Sequence, residues 1–312
     1  MSIDIKKDSF WKPKGVFVAT LTPMNEDLSV NIALLTAHCK WLMAHGTDGI
    51  VLSGTTGEAN SLSVAEKMIM LDELLASGLP AERFIVGTGC CAFPDSVALT
   101  RHAVKLGVGG VLMLPPFYYK GVPEDGVFAS FEEIIQRVGD EKLQIYLYHF
   151  PKMSGVPFSL NLIERLLKAY PDQIAGIKDS SGDFSNMKAM AERFPGFRVF
   201  AGTEAFLLDV LRVGGVGCIS ATTNLTSGLA GKVYENWETE SADVLQDHLT
   251  SVRLTLQEHA FIPTLKGLMG RITGNTTWHN MRPPHILASQ NEIEEVLLSL
   301  RQRNFDLGRV GN

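Results

Sequence analysis

Three short stretches of the chain carry residues that could do carbonyl chemistry. Lys178 closes the apolar run in IAGIKDSSGD, Tyr148 closes the run IYLYHFP, and Thr55 and Thr56 stand between Gly54 and Gly57 in SGTTGEANSL. An amine can add to a ketone, a phenol can donate and accept the protons that imine formation and C–C cleavage require, and a Gly/Thr loop can gather N–H and hydroxyl groups around a carboxylate. Each has a plainer reading. A lysine at a strand end is ordinarily solvated, and a Gly- and Thr-rich turn occurs for purely structural reasons. What gives the set meaning is where the surrounding elements place it.

Those elements repeat. Apolar, β-branched runs ending in Gly, Thr, Ser or Pro open at positions 15 (GVFVATLTP), 49 (GIVLSGTTGE), 84 (FIVGTG), 109 (GGVLMLPP), 145 (IYLYHFP), 174 (IAGIKDS), 198 (RVFAGTE) and 215 (GVGCISATTN). Between them lie helical patterns such as VNIALLTAHCKWLMAHG and LNLIERLLKAYP, long enough for crossover helices. Eight β-α units predict an α/β fold, a (β/α)8 TIM barrel, and no unit opens with the GxGxxG spacing of a dinucleotide-binding sheet; GTGCCAF comes nearest and misses. Beyond Asn224 the strand signals stop and long helical patterns take over, which predicts a barrel over 1–224 and a C-terminal helical extension over 225–312 packed on it. Chemistry in such barrels sits at the C-terminal strand ends, where Lys178 would point into the mouth and partial burial would disfavour its charged form.

Composition excludes several classes. The chain has 312 residues, 45% of them hydrophobic and 20% charged, with a formal net charge of -6, so it offers no basic footprint for nucleic acid or a membrane surface. The opening MSIDIKKDSFWKPKG has no apolar signal core, which points to the cytoplasm. Its four cysteines, at 39, 90, 91 and 218, show no CxxC spacing and read as small apolar fillers. The eight histidines are scattered and the first strand reads ATLTP rather than HxH, so no metal site is expected. His149 follows Tyr148 directly, and strand alternation should turn it out of the barrel interior.

Taken together, GTTGE at 54–58, YHFP at 148–151 with Gly155 following, and GIKDSSGD at 176–183 resemble the pyruvate-dependent class I aldolases of the dihydrodipicolinate synthase and N-acetylneuraminate lyase group. The resemblance runs from GVFVATLTPM to the MRPP of the helical tail. It implies a barrel with a helical addition, a homotetramer built from dimers, pyruvate and an aldehyde as small-molecule partners, and no metal or organic cofactor. It also implies roles. Lys178 is similar to the Schiff-base lysine, Tyr148 to the proton-shuttling tyrosine, and Thr55 and Thr56 to the pair that holds the pyruvyl carboxylate, with Gly54 and Gly57 permitting close approach. Tyr118, in PPFYYKG, is similar to the tyrosine that enters a neighbouring subunit's site to complete a relay with Thr56 and Tyr148. Ile219 corresponds to the residue whose main-chain carbonyl faces the substrate.

The departures bear on specificity. Met153 stands where the synthases carry an arginine for the second substrate's carboxylate, and Lys152 beside it lacks the guanidinium fork. Thr203 and Glu204 after the seventh strand, with Thr222 after the eighth, stand where related lyases place polar groups against a polyol; a turn or capping role is the alternative. The expectation is therefore a carbon–carbon lyase cleaving a 2-keto-3-deoxy sugar acid or related 4-hydroxy-2-oxo acid to pyruvate and an aldehyde. The runner-up is 4-hydroxy-tetrahydrodipicolinate synthesis from pyruvate and aspartate semialdehyde. A non-catalytic ligand-sensing barrel is the alternative of another class.

Overall fold

The computed structural model describes residues 12–307. Most of the opening stretch read above as lacking a signal core, residues 1–11, lies outside them. Eight parallel strands pair in chain order and close on themselves: β1 Gly15–Ala19, β2 Gly49–Leu52, β3 Phe84–Gly87, β4 Gly110–Met113, β5 Ile145–His149, β6 Ile174–Asp179, β7 Arg198–Ala201 and β8 Gly217–Ser220. Each coincides with one of the eight apolar runs. Their burial on both faces explains why they read as continuous runs rather than as alternating ones. Phe17, Val51, Ile85, Leu112, Tyr146, Phe200 and Ile219 fill the interior, while Val16, Val18, Ile50, Leu52 and Leu147 pack outward under the helices.

The interior is plugged. Phe17 and Tyr146 each meet the Phe200 ring edge-on, at 5.6 and 5.7 Å between centroids. Tyr146 fits because two of its neighbours are glycines: a Cβ on Gly110 or Gly176 would lie 2.7 or 2.9 Å from its ring. Its hydroxyl accepts a hydrogen bond from Arg198 Nη1 at 2.8 Å. This leaves the C-terminal ends of the strands as the place where inward side chains can meet a ligand.

The crossover helices follow local rules. α1 (Ile32–Ala44) starts where the Asn31 side chain accepts from Leu34 N at 2.8 Å, and it buries Leu35, His38, Cys39 and Leu42. α2 (Val64–Ala76) opens on a reciprocal Ser63–Glu66 capping box. α3 (Phe93–Lys105), α4 (Glu124–Val138), a single turn α5 (Pro151–Ser154), α6 (Leu160–Ala169), α7 (Phe184–Arg193) and α8 (Leu207–Arg212) complete the ring up to β8.

The expected division at 224/225 falls inside α9 (Thr223–Asn236). This helix packs on β1 and is the barrel's own eighth helix, so the extension begins after it. The long pattern from 241 to 270 is two helices, α10 (Ala242–Gln257) and α11 (Phe261–Thr273). Pro263 requires the break: it lacks an N–H and its ring would collide with the carbonyl of residue 259 in a continuous helix, whereas a first turn tolerates it. With α12 (Gln290–Gln302), these helices share an apolar cluster including Val252, Leu256, Leu265, Leu268, Trp278, Val296 and Leu300, which also takes Leu21 and Leu225 from the barrel side.

Asn224 joins the two parts. Its Nδ2 donates to Ala19 O at 2.8 Å, and its Oδ1 accepts from Leu21 N at 3.1 Å and from His38 Nε2 at 2.9 Å. His38 is fully enclosed, and burial pulls its pKa from the ordinary 6.5 down to about 4 despite the opposing effect of the Asn224 bond. The unfolded chain therefore binds a proton that the folded chain refuses. Stability is whole above the ordinary histidine range and falls as the pH drops from about 6.5 toward 4, by up to about 3 kcal/mol from this group. In urea titrations, His38→Gln should remove that part of the slope; an identical pH dependence in both proteins would rule the assignment out.

Candidate active site

Lys178 and Tyr148 are partners in the β5–β6 register, so alternation turns both to the same interior face. Lys178 is 5% exposed and Tyr148 4%. The lysine Nζ lies over the tyrosine ring, 4.6 Å from its centroid, an arrangement in which the ring face attracts the ammonium. The Tyr148 hydroxyl is in turn 3.3 Å from Thr55 Oγ1. Amine, phenol and loop hydroxyl thus form a chain across β6, β5 and the loop after β2. His149, next along β5, faces outward: its Nδ1 accepts from Phe158 N at 3.1 Å, and burial lowers its pKa with the Asp179 charge opposing.

The loop that presents Thr55 and Thr56 is fixed from below and behind. Ala59 N bonds to Gly54 O at 3.2 Å and Glu58 N to Thr55 O at 3.0 Å, closing a tight turn. Thr22 Oγ1 donates to Gly57 O at 2.8 Å, and a Cβ on Gly57 would sit 3.0 Å from Thr20 O, so this position has little room for a side chain. Thr56 is buried, 7% exposed, and Gly54 faces open space apart from a contact with Val51. Glu58, in the left-handed region at φ 56, turns its carboxylate away from the mouth to Lys266 of α11. Both side chains are fully enclosed; Lys266 also donates to Asn280 O at 2.9 Å, and Arg282 N reaches the other Glu58 oxygen at 3.3 Å. The sequence reading did not single out Glu58 or Lys266. The signal was a lysine in the middle of an otherwise apolar stretch, FIPTLKGLMG.

Other expected site residues lie differently. Ile219 fills the interior layer with its side chain at the end of β8. Glu204 is 0% exposed and does not face the mouth: Ser220 and Thr222 donate to its two oxygens, Thr226 donates at 2.9 Å, and Arg253 of α10 stands 3.4 Å away. Thr222, fully enclosed as well, is consumed in the same network. Both depart from the expectation of contact with a polyol, because a buried carboxylate needs donors and these hydroxyls are its donors. Thr203 is only half-buried; its Oγ1 accepts from Ala205 N at 3.3 Å and from Arg253 Nε at 2.9 Å.

Tyr118 is not brought to Tyr148 within this chain. It is 74% exposed on the loop between β4 and α4, edge-on to Tyr119 at 5.4 Å. Lys120 Nζ donates to Phe117 O and, at 2.6 Å, to Ser154 O, which ties this loop to the α5 turn bearing Met153, itself 62% exposed. Cys39 and Cys218 are buried as expected of fillers, while Cys91 is exposed and Cys90 half-buried. Among the described residues no group of His, Cys, Asp and Glu could hold a metal ion, and no helix is long and apolar enough to cross a membrane. A cavity of about 280 Å³ between α1, α9, α11 and the C-terminal segment is larger than the hollow beside Tyr148. It holds neither the lysine nor the phenol, so volume alone does not mark the reactive centre.

Comparison with known proteins bears on the family and the fold. The family model described as the dihydrodipicolinate synthetase family matches residues 12–303. An uncharacterized DapA-like lyase of Chloroflexus aurantiacus is 34% identical over 261 residues, covering 83% of this chain and 86% of its own. A 4-hydroxy-tetrahydrodipicolinate synthase of Desulforamulus reducens is 30% identical over 261 residues, covering 83% of each chain. The crystal structure of dihydrodipicolinate synthase from Agrobacterium tumefaciens superposes with a TM-score of 0.86 at 26% identity, covering 93% of this chain and 99% of that one. The chain belongs to the dihydrodipicolinate synthetase family, carbon–carbon lyases built on this barrel.

Proposed function

We propose that the protein is a Schiff-base, pyruvate-dependent aldolase that cleaves a 2-keto-3-deoxy sugar acid or a related 4-hydroxy-2-oxo acid. The observation that carries this reading is the enclosed Lys178 amine over the Tyr148 ring, with the phenol reaching Thr55. In the cleavage direction Lys178 Nζ adds to the keto carbon and water leaves, giving an imine. Tyr148 gives its proton to the departing hydroxyl, and the phenolate so formed takes the C4 hydroxyl proton while the protonated imine accepts the electron pair of the C3–C4 bond. The aldehyde departs, the enamine takes a proton at C3, and water releases pyruvate. Thr55 and Thr56 hold the carboxylate, with the Ile219 carbonyl at the far wall. No step calls for a metal or organic cofactor.

Tyr118, standing apart from this chain's own site, serves the site of a neighbouring copy, which calls for at least a dimer; the family resemblance extends this to a cytoplasmic homotetramer assembled from dimers. The second reading, synthesis from aspartate semialdehyde, is favoured by the names of several relatives, such as the Desulforamulus reducens synthase. It is disfavoured by Met153, neutral and exposed where a carboxylate clamp would be needed.

Four measurements test the proposal. Borohydride added with pyruvate should leave a reduced adduct on Lys178, located by peptide mass. Lys178→Arg keeps a cation that does not deprotonate near neutral pH, so it should fold, show no adduct and have background activity; turnover by folded Lys178→Arg would refute the mechanism. Mixing inactive Lys178→Arg chains with Tyr118→Phe chains should give hybrid oligomers containing sites with both native residues, and activity above the sum of the parts. Strict additivity would place Tyr118 within one chain's site. With pyruvate saturating, kcat/KM for glyceraldehyde should exceed that for aspartate semialdehyde, since the semialdehyde's carboxylate meets no paired cation at the exposed Met153 and each 1.4 kcal/mol of lost interaction is about tenfold. Met153→Arg should move the ratio toward the semialdehyde; a native enzyme that already prefers the semialdehyde would make the protein a synthase.

A further inference from the structure

Ser53, at the end of β2, combines three features that folding alone does not explain. Its backbone lies in the left-handed region at φ 56, which glycine enters freely and serine enters at a cost, although Gly54 is the very next residue. Its side chain is 2% exposed, and its hydroxyl is buried with no hydrogen-bond partner among the described residues. Its position is tightly held, because a Cβ on the facing Gly87 of β3 would lie 2.0 Å from the Ser53 carbonyl oxygen. An enclosed, unpaired hydroxyl weakens a fold, and alanine or glycine here would avoid that penalty.

The place of Ser53 supplies the missing partner. It lines the hollow beside the reactive chain together with Gly54, Thr55, Asn60, Leu114 and Tyr148, and that hollow measures about 20 Å³, enough for one water-sized polar group such as a carboxylate oxygen. Leu114 is apolar, and the Thr55 and Tyr148 hydroxyls are already directed at each other. We infer that Ser53 is a third hydroxyl of the carboxylate cradle, its Oγ–H donating to the 2-oxo acid carboxylate held at Thr55 and Thr56. This rests on the proposed Schiff-base reading and adds to it a binding residue that the sequence patterns did not mark. The strained backbone and the unpaired donor then have one cause: the site is built for an acceptor that arrives with the substrate.

The test is borohydride trapping on Lys178 across a range of concentrations, with pyruvate and, in parallel, with acetone, which has the ketone but no carboxylate. Ser53→Ala deletes the hydroxyl and keeps the left-handed strain; Ser53→Gly deletes both, and it carries the test alone if the alanine protein does not fold. Each should raise the half-saturating pyruvate concentration on the order of tenfold with the same trapping plateau, while the value for acetone stays within twofold. Ser53→Gly should unfold at or above the native midpoint. An unchanged half-saturation for pyruvate, or an equal rise for acetone, overturns the inference while leaving the lysine chemistry intact. A native protein that pyruvate does not label overturns both.

Discussion

The buried pair between Glu58 and Lys266 is the interaction on which the site depends. Two fully enclosed charges are costly to desolvate, and burial pulls the Lys266 pKa down while Glu58 pulls it up. The pair is supported by Asn280 O, which accepts a second bond from Lys266, and by the Arg282 N–H, which donates to Glu58. Glu58 is three residues from Thr55, so the ion pair that seats α11 against the barrel also sets the turn presenting the carboxylate-binding hydroxyls. Arg282 extends the tie to Leu28 O and, through its guanidinium, to Glu66 at the start of α2. The helical extension is in this sense part of the active-site loop's support rather than an appendage.

A second enclosed carboxylate works behind the ends of β7 and β8. Glu204 collects hydroxyls from Ser220, Thr222 and Thr226 and stands beside Arg253, linking the end of β7 to the end of β8, to α9 and to the extension. The Arg253 guanidinium also lies over the Phe261 ring, 4.5 Å from its centroid. Most polar groups here satisfy one another, Arg253 Nη1 excepted, so the wall is stiff. The groups beside the reactive lysine differ: the Tyr148 phenol has a single long bond to Thr55, and the Ser53 hydroxyl has none. Unmet polar capacity stands where substrate oxygens would arrive, as it also does at a few buried groups elsewhere, Ser227 and Thr264 among them.

The plugged interior explains why such a small set of residues suffices. With Phe17, Tyr146 and Phe200 interlocked below, inward positions near the strand ends are the ones a ligand can reach. Strand alternation then selects Lys178 and Tyr148 for the mouth and sends Asp179 and His149 outward, where Asp179 accepts from Asn186 at 2.7 Å and His149 from Phe158.

Much of this was legible in the linear chain because it depends on local periodicity. All eight strands and the reactive strand ends follow from apolar runs punctuated by Gly, Thr and Pro, and the inward direction of Lys178 follows from a period of two. The division at 224/225 was misplaced because α9 belongs to the barrel by its packing on β1, not by any change in composition. The break before Pro263 was written in the sequence, as a residue that cannot continue a helix. What no local pattern carries is the pairing of groups distant along the chain. Glu58 with Lys266, Glu204 with the hydroxyls of β8 and α9, and Tyr148 with Thr55 are set by closure of the barrel and docking of the extension. The sequence by itself determined which residue types stand at the strand ends and which way they face. Only the tertiary structure decided which of those polar groups are consumed by one another and which are left for a ligand, because hydrogen bonds between enclosed groups exist only once the elements that carry them have come together.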